Sequence, residues 1–181
     1  MALLIVGHPE LDKSIANNAI IEEVKKHDLD IEIRYLHQLY PDYKIDINAE
    51  QAALLRHETI IFQYPFYWYN APAILKLWFD EVFTYQFAYG SKGYKLKGKN
   101  FLLSFTVGAP QHEYQALGEH HFGIPEFCKN FEQTAYYAQM NYMAPIYSFG
   151  TSTAAGYKES EIRDKAKAHA KILVSALLNL K

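Results

Sequence analysis

The sequence predicts an α/β domain built on a parallel sheet with helices on both faces, and three observations carry that prediction. Short apolar runs of strand character alternate with helix-period runs from one end of the chain to the other. The first run, Ala2 to Gly7, is continuously apolar and stops at a glycine, as a strand buried on both faces does. The 181 residues, half of them apolar, fit one domain spanning 1–181. A chain of this length buries about 70% of its unfolded surface and needs no staples.

The elements follow in order. After the Ala2–Gly7 strand, the pattern from Ser14 to about His27 turns helical, with Ile15, Ala19 and Val24 recurring among polar residues. Ile31 to Leu36 reads as a second strand, and a long polar and aromatic loop leads to a short helix over Ala49 to His57. Thr59 to Gln63 is the third strand and Ala71 to Phe83 a helix. Asn100 to Thr106 is the fourth strand, followed by a helix over Pro125 to Ala138 with proline in its first turn. Met143 to Phe149 is the fifth strand, and Tyr157 to Leu180 a long amphipathic helix. Five strands and five helices in this alternation fit the flavodoxin-like doubly wound fold, strand order 2-1-3-4-5. Its switch point lies between strands 1 and 3, and ligands bind there outside the carboxyl ends. Residues 84–99 form the one long stretch without periodicity, the kind that serves as a lid or binding segment.

Composition excludes several classes. A formal charge of −2 offers no concentrated basic face for a phosphate backbone, so no nucleic-acid partner is expected. The N-terminal run has no basic flank and is too short for a signal or membrane segment. With a single cysteine, a cytoplasmic protein is expected. Cys128 has no Cys-x-x-Cys or Cys-His setting and reads as a buried helix residue. The eight histidines are scattered, only His120 and His121 being adjacent, and no metal site is expected.

Three loops converge on the switch point. Tyr64 to Asn70 holds five aromatics in seven positions directly after strand 3. Such a loop is either a core edge or subunit contact, or a wall for a flat apolar ligand, and its position favours the ligand. After strand 1, His8-Pro-Glu-Leu-Asp-Lys-Ser14-Ile15-Ala16-Asn17 places Ser14 at a helix N-cap. The free N–H groups and dipole of a helix start make an anion site there, although a bare cap explains the same residues. After strand 4, Thr106-Val107-Gly108-Ala109 offers a hydroxyl and open backbone for the polar edge of a heterocycle. Phosphate cradle, aromatic wall and polar edge together describe a mononucleotide with a large ring, and FMN is the economical choice.

The residues that carry a family resemblance are His8-Pro with Ser14-x-x-Asn17, the block Phe62 to Phe83, Phe87-Ala-Tyr-Gly90, and Leu39 to Glu50. They resemble the flavodoxin-like NAD(P)H:quinone oxidoreductases across nearly the whole chain. The nearest branch is the bacterial one that includes ancillary quinone reductases of glutathione-regulated potassium efflux systems. The resemblance implies that His8, Ser14, Ile15, Ala16 and Asn17 hold the flavin phosphate. It places Pro65, Phe66, Tyr67 and Trp68 along the isoalloxazine, and Thr106, Val107, Gly108 and Ala109 at its polar edge. Tyr114 and His120 are the implied catalytic helpers, with His121 as the competing choice. FMN, with FAD as the alternative, and NAD(P)H as co-substrate follow from the same source. Val107 and Ala109 stand where many relatives have Thr and Gly, and Phe66 and Tyr67 replace an aliphatic residue and Gln.

The helix Ala71–Phe83 carries an apolar arc, Ile74, Leu75, Trp78, Phe79, Val82 and Phe83, covering about half its circumference. That is more than one core stripe needs, which predicts a homodimer. The expected activity is hydride transfer from NAD(P)H through FMN to a quinone-like acceptor, in a ping-pong cycle. Two other readings stand beside it: a regulatory flavoprotein subunit of a membrane potassium efflux transporter, and a flavodoxin-type electron carrier.

Overall fold

A computed structural model describes residues 1–180; Lys181, the last residue of the range 1–181 read as one domain, lies outside the described residues. The chain runs β1 (Ala2–Val6), α1 (Ile15–Val24), β2 (Ile31–Tyr35), α2 (Leu36–Leu39), α3 (Ile47–Arg56), β3 (Thr59–Pro65), α4 (Ala73–Val82) and β4 (Asn100–Thr106). It continues through α5 (Ile124–Phe127), α6 (Lys129–Tyr137), β5 (Asn141–Tyr142), β6 (Ile146–Ser148) and α7 (Glu159–Leu178). All pairings are parallel, in the order β2-β1-β3-β4-β5, with β6 also on β4. The flavodoxin-like order 2-1-3-4-5 is the one that the alternation of elements predicts.

Alternate strand residues feed two cores. Leu3, Ile5, Ile60, Phe62, Phe101 and Leu103 pack with α3, α4 and α6. Leu4, Val6, Ile61 and Leu102 face the other way, onto Ile20, Ile21 and Val24 of α1 and Ala166, Ala170 and Leu173 of α7. The small residues Ala166 and Ala170 let α7 lie close to the sheet. At Gly7 the chain passes so near α4 that an added Cβ would sit 2.7 Å from Leu75 Cβ, so any side chain there forces the helix away.

The element boundaries depart from the sequence reading for local reasons. Leu36 leaves strand 2 and opens α2, where it is buried in the α3–α4 core. Helix α3 begins earlier than Ala49 because Asp46 caps it, accepting a bond from Ala49 N–H at 3.0 Å. The expected helix Pro125–Ala138 is two helices meeting at Cys128, whose N–H is shared between the carbonyls of Ile124 and Pro125. Cys128 is buried there as expected, and burial pushes its thiol up to about 11. The fifth strand starts at Asn141 and is broken: β4 advances from Phe101 to Ser104 while its partner advances from Tyr142 to Ile146, one residue more. Pro145 falls in that bulge, where its missing N–H costs no ladder bond.

Two expectations lose their footing. Residues 84–99 are not an open lid: Leu96, Phe87 and Ala88 are buried in the core, and Lys95 N–H bonds Phe87 O at 3.2 Å. The apolar arc of α4 is covered within the chain, with Ile74, Leu75, Trp78, Phe79 and Val82 all buried. Trp78 lies against Phe62, Phe79 and Phe83 at ring-centroid distances of 5.7, 5.4 and 5.8 Å. Helix α4 therefore gives no reason for a second copy.

The same helix is pinned by a buried charge. Glu50 on α3 is fully buried and accepts from Trp78 Nε1 at 2.8 Å, from Arg34 on β2 at 2.6 Å and from the Tyr40 hydroxyl. Every lone pair is used, which is the condition under which an interior carboxylate is tolerated. Glu50→Ala would leave the Arg34 guanidinium partly buried beside an unmatched Trp78 N–H. Urea unfolding of that variant is expected to show a loss of about 3 to 5 kcal/mol, and a loss under 1 kcal/mol would show that the cluster contributes little.

Candidate active site

The carboxyl ends of β1, β3 and β4 enclose a cavity of about 300 Å³. Ser14 closes the loop after β1 as the N-cap of α1, its Oγ accepting from Asn17 N–H at 3.2 Å. The first bond of the helix is Asn18 N–H to Ser14 O, so the N–H groups of Ile15 and Ala16 precede the ladder and face the cavity that both residues line. His8 is buried beside them and accepts from Glu10 N–H through Nδ1 at 3.0 Å. Burial pushes its imidazole down to about 4, with Glu10 opposing and His37 adding to the shift. His8 is thus neutral at pH 7 and carries its hydrogen on Nε2. Lys13 also lines the cavity, already paired with Glu10.

From β3 the walls are Pro65, Phe66 and Tyr67, and from β4 Thr106 and Gly108. A Cβ on Gly108 would lie 3.2 Å from Ser152 Cβ, so a larger residue there would crowd the wall. Thr106 Oγ1 and Ser14 Oγ both accept from Asn17 Nδ2, at 2.9 and 3.2 Å. Each hydroxyl consequently keeps its own hydrogen for a ligand. The arrangement can hold an anion by donated hydrogens and lay a flat apolar group along the aromatic edge.

Ten of the thirteen residues expected to bind a cofactor line this cavity: His8, Ser14, Ile15, Ala16, Asn17, Pro65, Phe66, Tyr67, Thr106 and Gly108. Trp68, Val107 and Ala109 do not. Tyr67 to Asn70 closes a two-residue turn, with Tyr67 and Asn70 exchanging backbone bonds of 2.9 and 3.0 Å, and both central residues have positive φ, Trp68 at 46° and Tyr69 at 64°. Such a turn normally carries Asn-Gly, and here it swings the Trp68 side chain into solvent at 91% exposure. Val107 is fully buried, and Ala109 and Val107 act through their carbonyls, holding Gly150 N–H at 3.0 Å and Thr151 at 3.2 and 2.9 Å. They fix a hydroxyl-bearing loop, Thr151, Ser152 and Thr153, that completes the cavity and that sequence reasoning missed. Its signal was a run of hydroxyls directly after the last strand, on the same edge as the other loops.

Tyr114 and His120 come together, their rings stacked at 4.2 Å and 27°. His120 Nδ1 lies 3.2 Å from the Tyr69 hydroxyl, whereas His121 is exposed at positive φ without such a partner among the described residues. The pair stands behind Phe66, 6.2 Å from Tyr114 between ring centroids, rather than in the cavity itself. Tyr114 instead lines an open neighbouring cavity of about 790 Å³. Burial pushes its phenol up to about 12, so it is a hydrogen donor at neutral pH.

A family model described as "Flavodoxin-like fold" matches residues 1–173. The chain is 38% identical over 179 residues, 99% of itself and 89% of the relative, to the uncharacterized NAD(P)H oxidoreductase YdeQ of Bacillus subtilis (strain 168). It is 41% identical over 146 residues, 81% of each chain, to the glutathione-regulated potassium-efflux system ancillary protein KefF of Enterobacter sp. (strain 638). Among solved structures, general stress protein 14 from Treponema denticola in complex with FMN superimposes with TM-score 0.87 at 34% identity, over 97% of this chain and 98% of that one.

Two buried imidazoles, those of His8 and His169, each held down from 6.5 to about 4, set a pH dependence. Both take up a proton on unfolding between those values, so their stabilisation is complete above pH 6.5 and is lost as pH falls toward 4. The thermal midpoint of the ligand-free protein is expected to fall steadily across that window and to stay flat from pH 7 to 8; a midpoint unchanged down to pH 4.5 would contradict it. Trp68→Ala, at an exposed position, is expected to change unfolding free energy by less than about 0.5 kcal/mol in a urea titration.

Proposed function

This chain belongs to the flavodoxin-like fold family, and on that footing we propose that it is an FMN-dependent NAD(P)H oxidoreductase that reduces quinones or similar planar two-electron acceptors. The observation that carries the reading is one cavity at the switch point joining a helix-start anion cradle to an aromatic edge, in a chain 34% identical to an FMN-bound structure. The residues present fit the cofactor. Ser14 Oγ, Thr106 Oγ1, Ile15 and Ala16 N–H and the neutral His8 Nε2–H supply donors for a phosphate, with no side chain at Gly108 to intrude. When bound, FMN supplies the hydride relay between NAD(P)H and acceptor.

The chain's own residues bind, orient and tune. Pro65, Phe66 and Tyr67 offer the ring an apolar wall, and the Gly108 backbone offers a preorganised donor for its polar edge. On this reading donor and acceptor use the same face of the ring in turn, as a ping-pong cycle requires. Tyr114, protonated and stacked on His120 with Tyr69 orienting His120, is the proton source for an acceptor that extends past Phe66 into the neighbouring cavity that Tyr114 lines. Beside the site Trp68 and Tyr69 stand exposed on the turn, with exposed Phe122 joined to Tyr69 through Phe127, and a second copy of the chain would cover them.

A second reading, a regulatory subunit on a potassium efflux transporter, is favoured by the 41% identical relative KefF and is compatible with the enzymatic one. No helix among the described residues is long and apolar enough to cross a membrane, so such a partnership would be by docking.

The test is the visible spectrum of the purified protein with FMN, before and after NADPH under anaerobic conditions, followed by a quinone. Flavin absorption that is lost with NADPH and restored by the quinone is the expected result; protein that binds no added FMN sinks the reading. Ser14→Ala is expected to raise the FMN dissociation constant about tenfold. Tyr114→Phe is expected to lower kcat with quinone by about 10- to 100-fold while leaving FMN affinity within a factor of about two, measured by stopped-flow and fluorescence titration.

A further inference from the structure

On the α1–α7 side of the sheet, a single file of buried hydrogen bonds runs beneath the site, and its far end has no part in the reaction proposed above. Ser148 Oγ donates to His169 Nδ1 at 2.9 Å, and His169 Nε2–H donates to Ser104 Oγ at 2.7 Å. Ser104 Oγ donates to Gln63 Oε1 at 2.6 Å, and Gln63 Nε2 donates to Asn17 Oδ1 at 2.8 Å. Asn17 Nδ2 closes the file on Ser14 and Thr106. Gln63 and Ser104 are fully buried and His169 is 1% exposed, so the links among these three are shielded from solvent. Every donor points the same way, toward the cavity.

The direction depends on which ring nitrogen of His169 carries the hydrogen. Were it Nδ1, Ser104 would donate to Nε2, Gln63 would turn its amide over, and Asn17 would turn its oxygen toward Ser14 and Thr106. Both hydroxyls would then donate backward into the protein, leaving only lone pairs toward the cavity. The reversed file leaves the buried Asn17 Nδ2 with Gln63 Oε1 as the one acceptor for its two hydrogens, whereas the direction found uses both, so the fold itself favours the direction that leaves hydroxyl hydrogens toward the cavity. Burial holds the ring down to about 4, so it carries one hydrogen at neutral pH and the choice of nitrogen is a real one.

We propose that His169 is a positioning residue for the anionic end of the bound cofactor: acting through Ser104, Gln63 and Asn17, it holds the Ser14 and Thr106 hydroxyls as donors. The identity of the ligand rests on the FMN reading above; the direction of the file does not. In the FMN-loaded wild-type protein, 15N NMR of the histidine rings is expected to show His169 with its hydrogen on Nε2, and an Nδ1–H ring overturns the proposal. His169→Leu is expected to raise the FMN dissociation constant about tenfold, the loss of one charge-assisted hydrogen bond. Riboflavin, which lacks the phosphate, should shift by less than about threefold. His169→Gln, which keeps a donor toward Ser104, should stay within about threefold of wild type for both. If His169→Leu fails to fold, Ser104→Ala interrupts the same file one link nearer the cavity and should show the same FMN-selective loss. An unchanged FMN constant in folded variant, or equal losses for FMN and riboflavin, reduces His169 to a structural residue and overturns the proposal. Wild-type protein that binds neither flavin defeats the FMN reading instead, and the His169 tautomer with an inorganic phosphate titration of wild type and variant then decides the positioning role by itself.

Discussion

β1 is hydrogen-bonded along both edges, to β2 on one side and β3 on the other, and the site depends on that placement. Because the strand order turns back at β1, the chain leaves β1 for α1 on one face of the sheet and leaves β3 for α4 on the other. The two loops part as they clear the strand ends, and a crevice opens between them that no side chain has to be removed to make. Most of what lines it is delivered from the ends of the buried strands β1, β3 and β4, which cannot shift without breaking a ladder. The α1 N-terminus reaches the crevice only because Gly7 lets the chain turn beneath Leu75.

On the α1–α7 face the strands are apolar through their middles and polar toward their carboxyl ends: Leu4, Ile61 and Leu102 give way to Gln63, Ser104, Thr106 and Ser148. A polar patch of that size inside a fold is tolerated only when each group is matched. Here the matching partners are Asn17 and His169, one from each helix on that face, so the same bonds that satisfy the strands also fix where α1 starts. The opposite face carries its own interior charge, Glu50, matched by Arg34, Tyr40 and Trp78 at the edge strand. Structural and site-building polarity are thus kept on opposite sides of one sheet.

Strand and helix alternation was legible because buried parallel strands are short apolar runs and the helices keep their period. Boundaries were not, wherever a single residue rather than a pattern decided them: Asp46 capping α3, Cys128 dividing α5 from α6, Pro145 in the edge bulge. Most of the cavity could be read from position, since residues that follow strands 1, 3 and 4 must meet at the switch point. Trp68 could not, because the turn that carries it has the backbone of Asn-Gly and the letters of a core. The α4 arc misled for a related reason: counting apolar residues on a helix says how much surface must be covered, not by what, and Phe62, Phe101 and α3 cover it. Gln63 was a visible oddity in an apolar strand, but its partners, Asn17 and Ser104, lie 46 and 41 residues away along the chain, and no local pattern joins them.

The chain has two tryptophans, and the fold sets them at opposite extremes: Trp78 with no exposed surface, its indole N–H on a buried carboxylate, and Trp68 standing free on the turn beside the site. Their light is therefore separable. A water-soluble quencher reaches Trp68 and not Trp78, and emission from the buried indole lies to the blue of emission from the free one. Any molecule that settles against the aromatic turn darkens the first, while loosening of the interior reddens the second. The protein carries two independent built-in lamps, one for occupancy and one for integrity, without a label being attached.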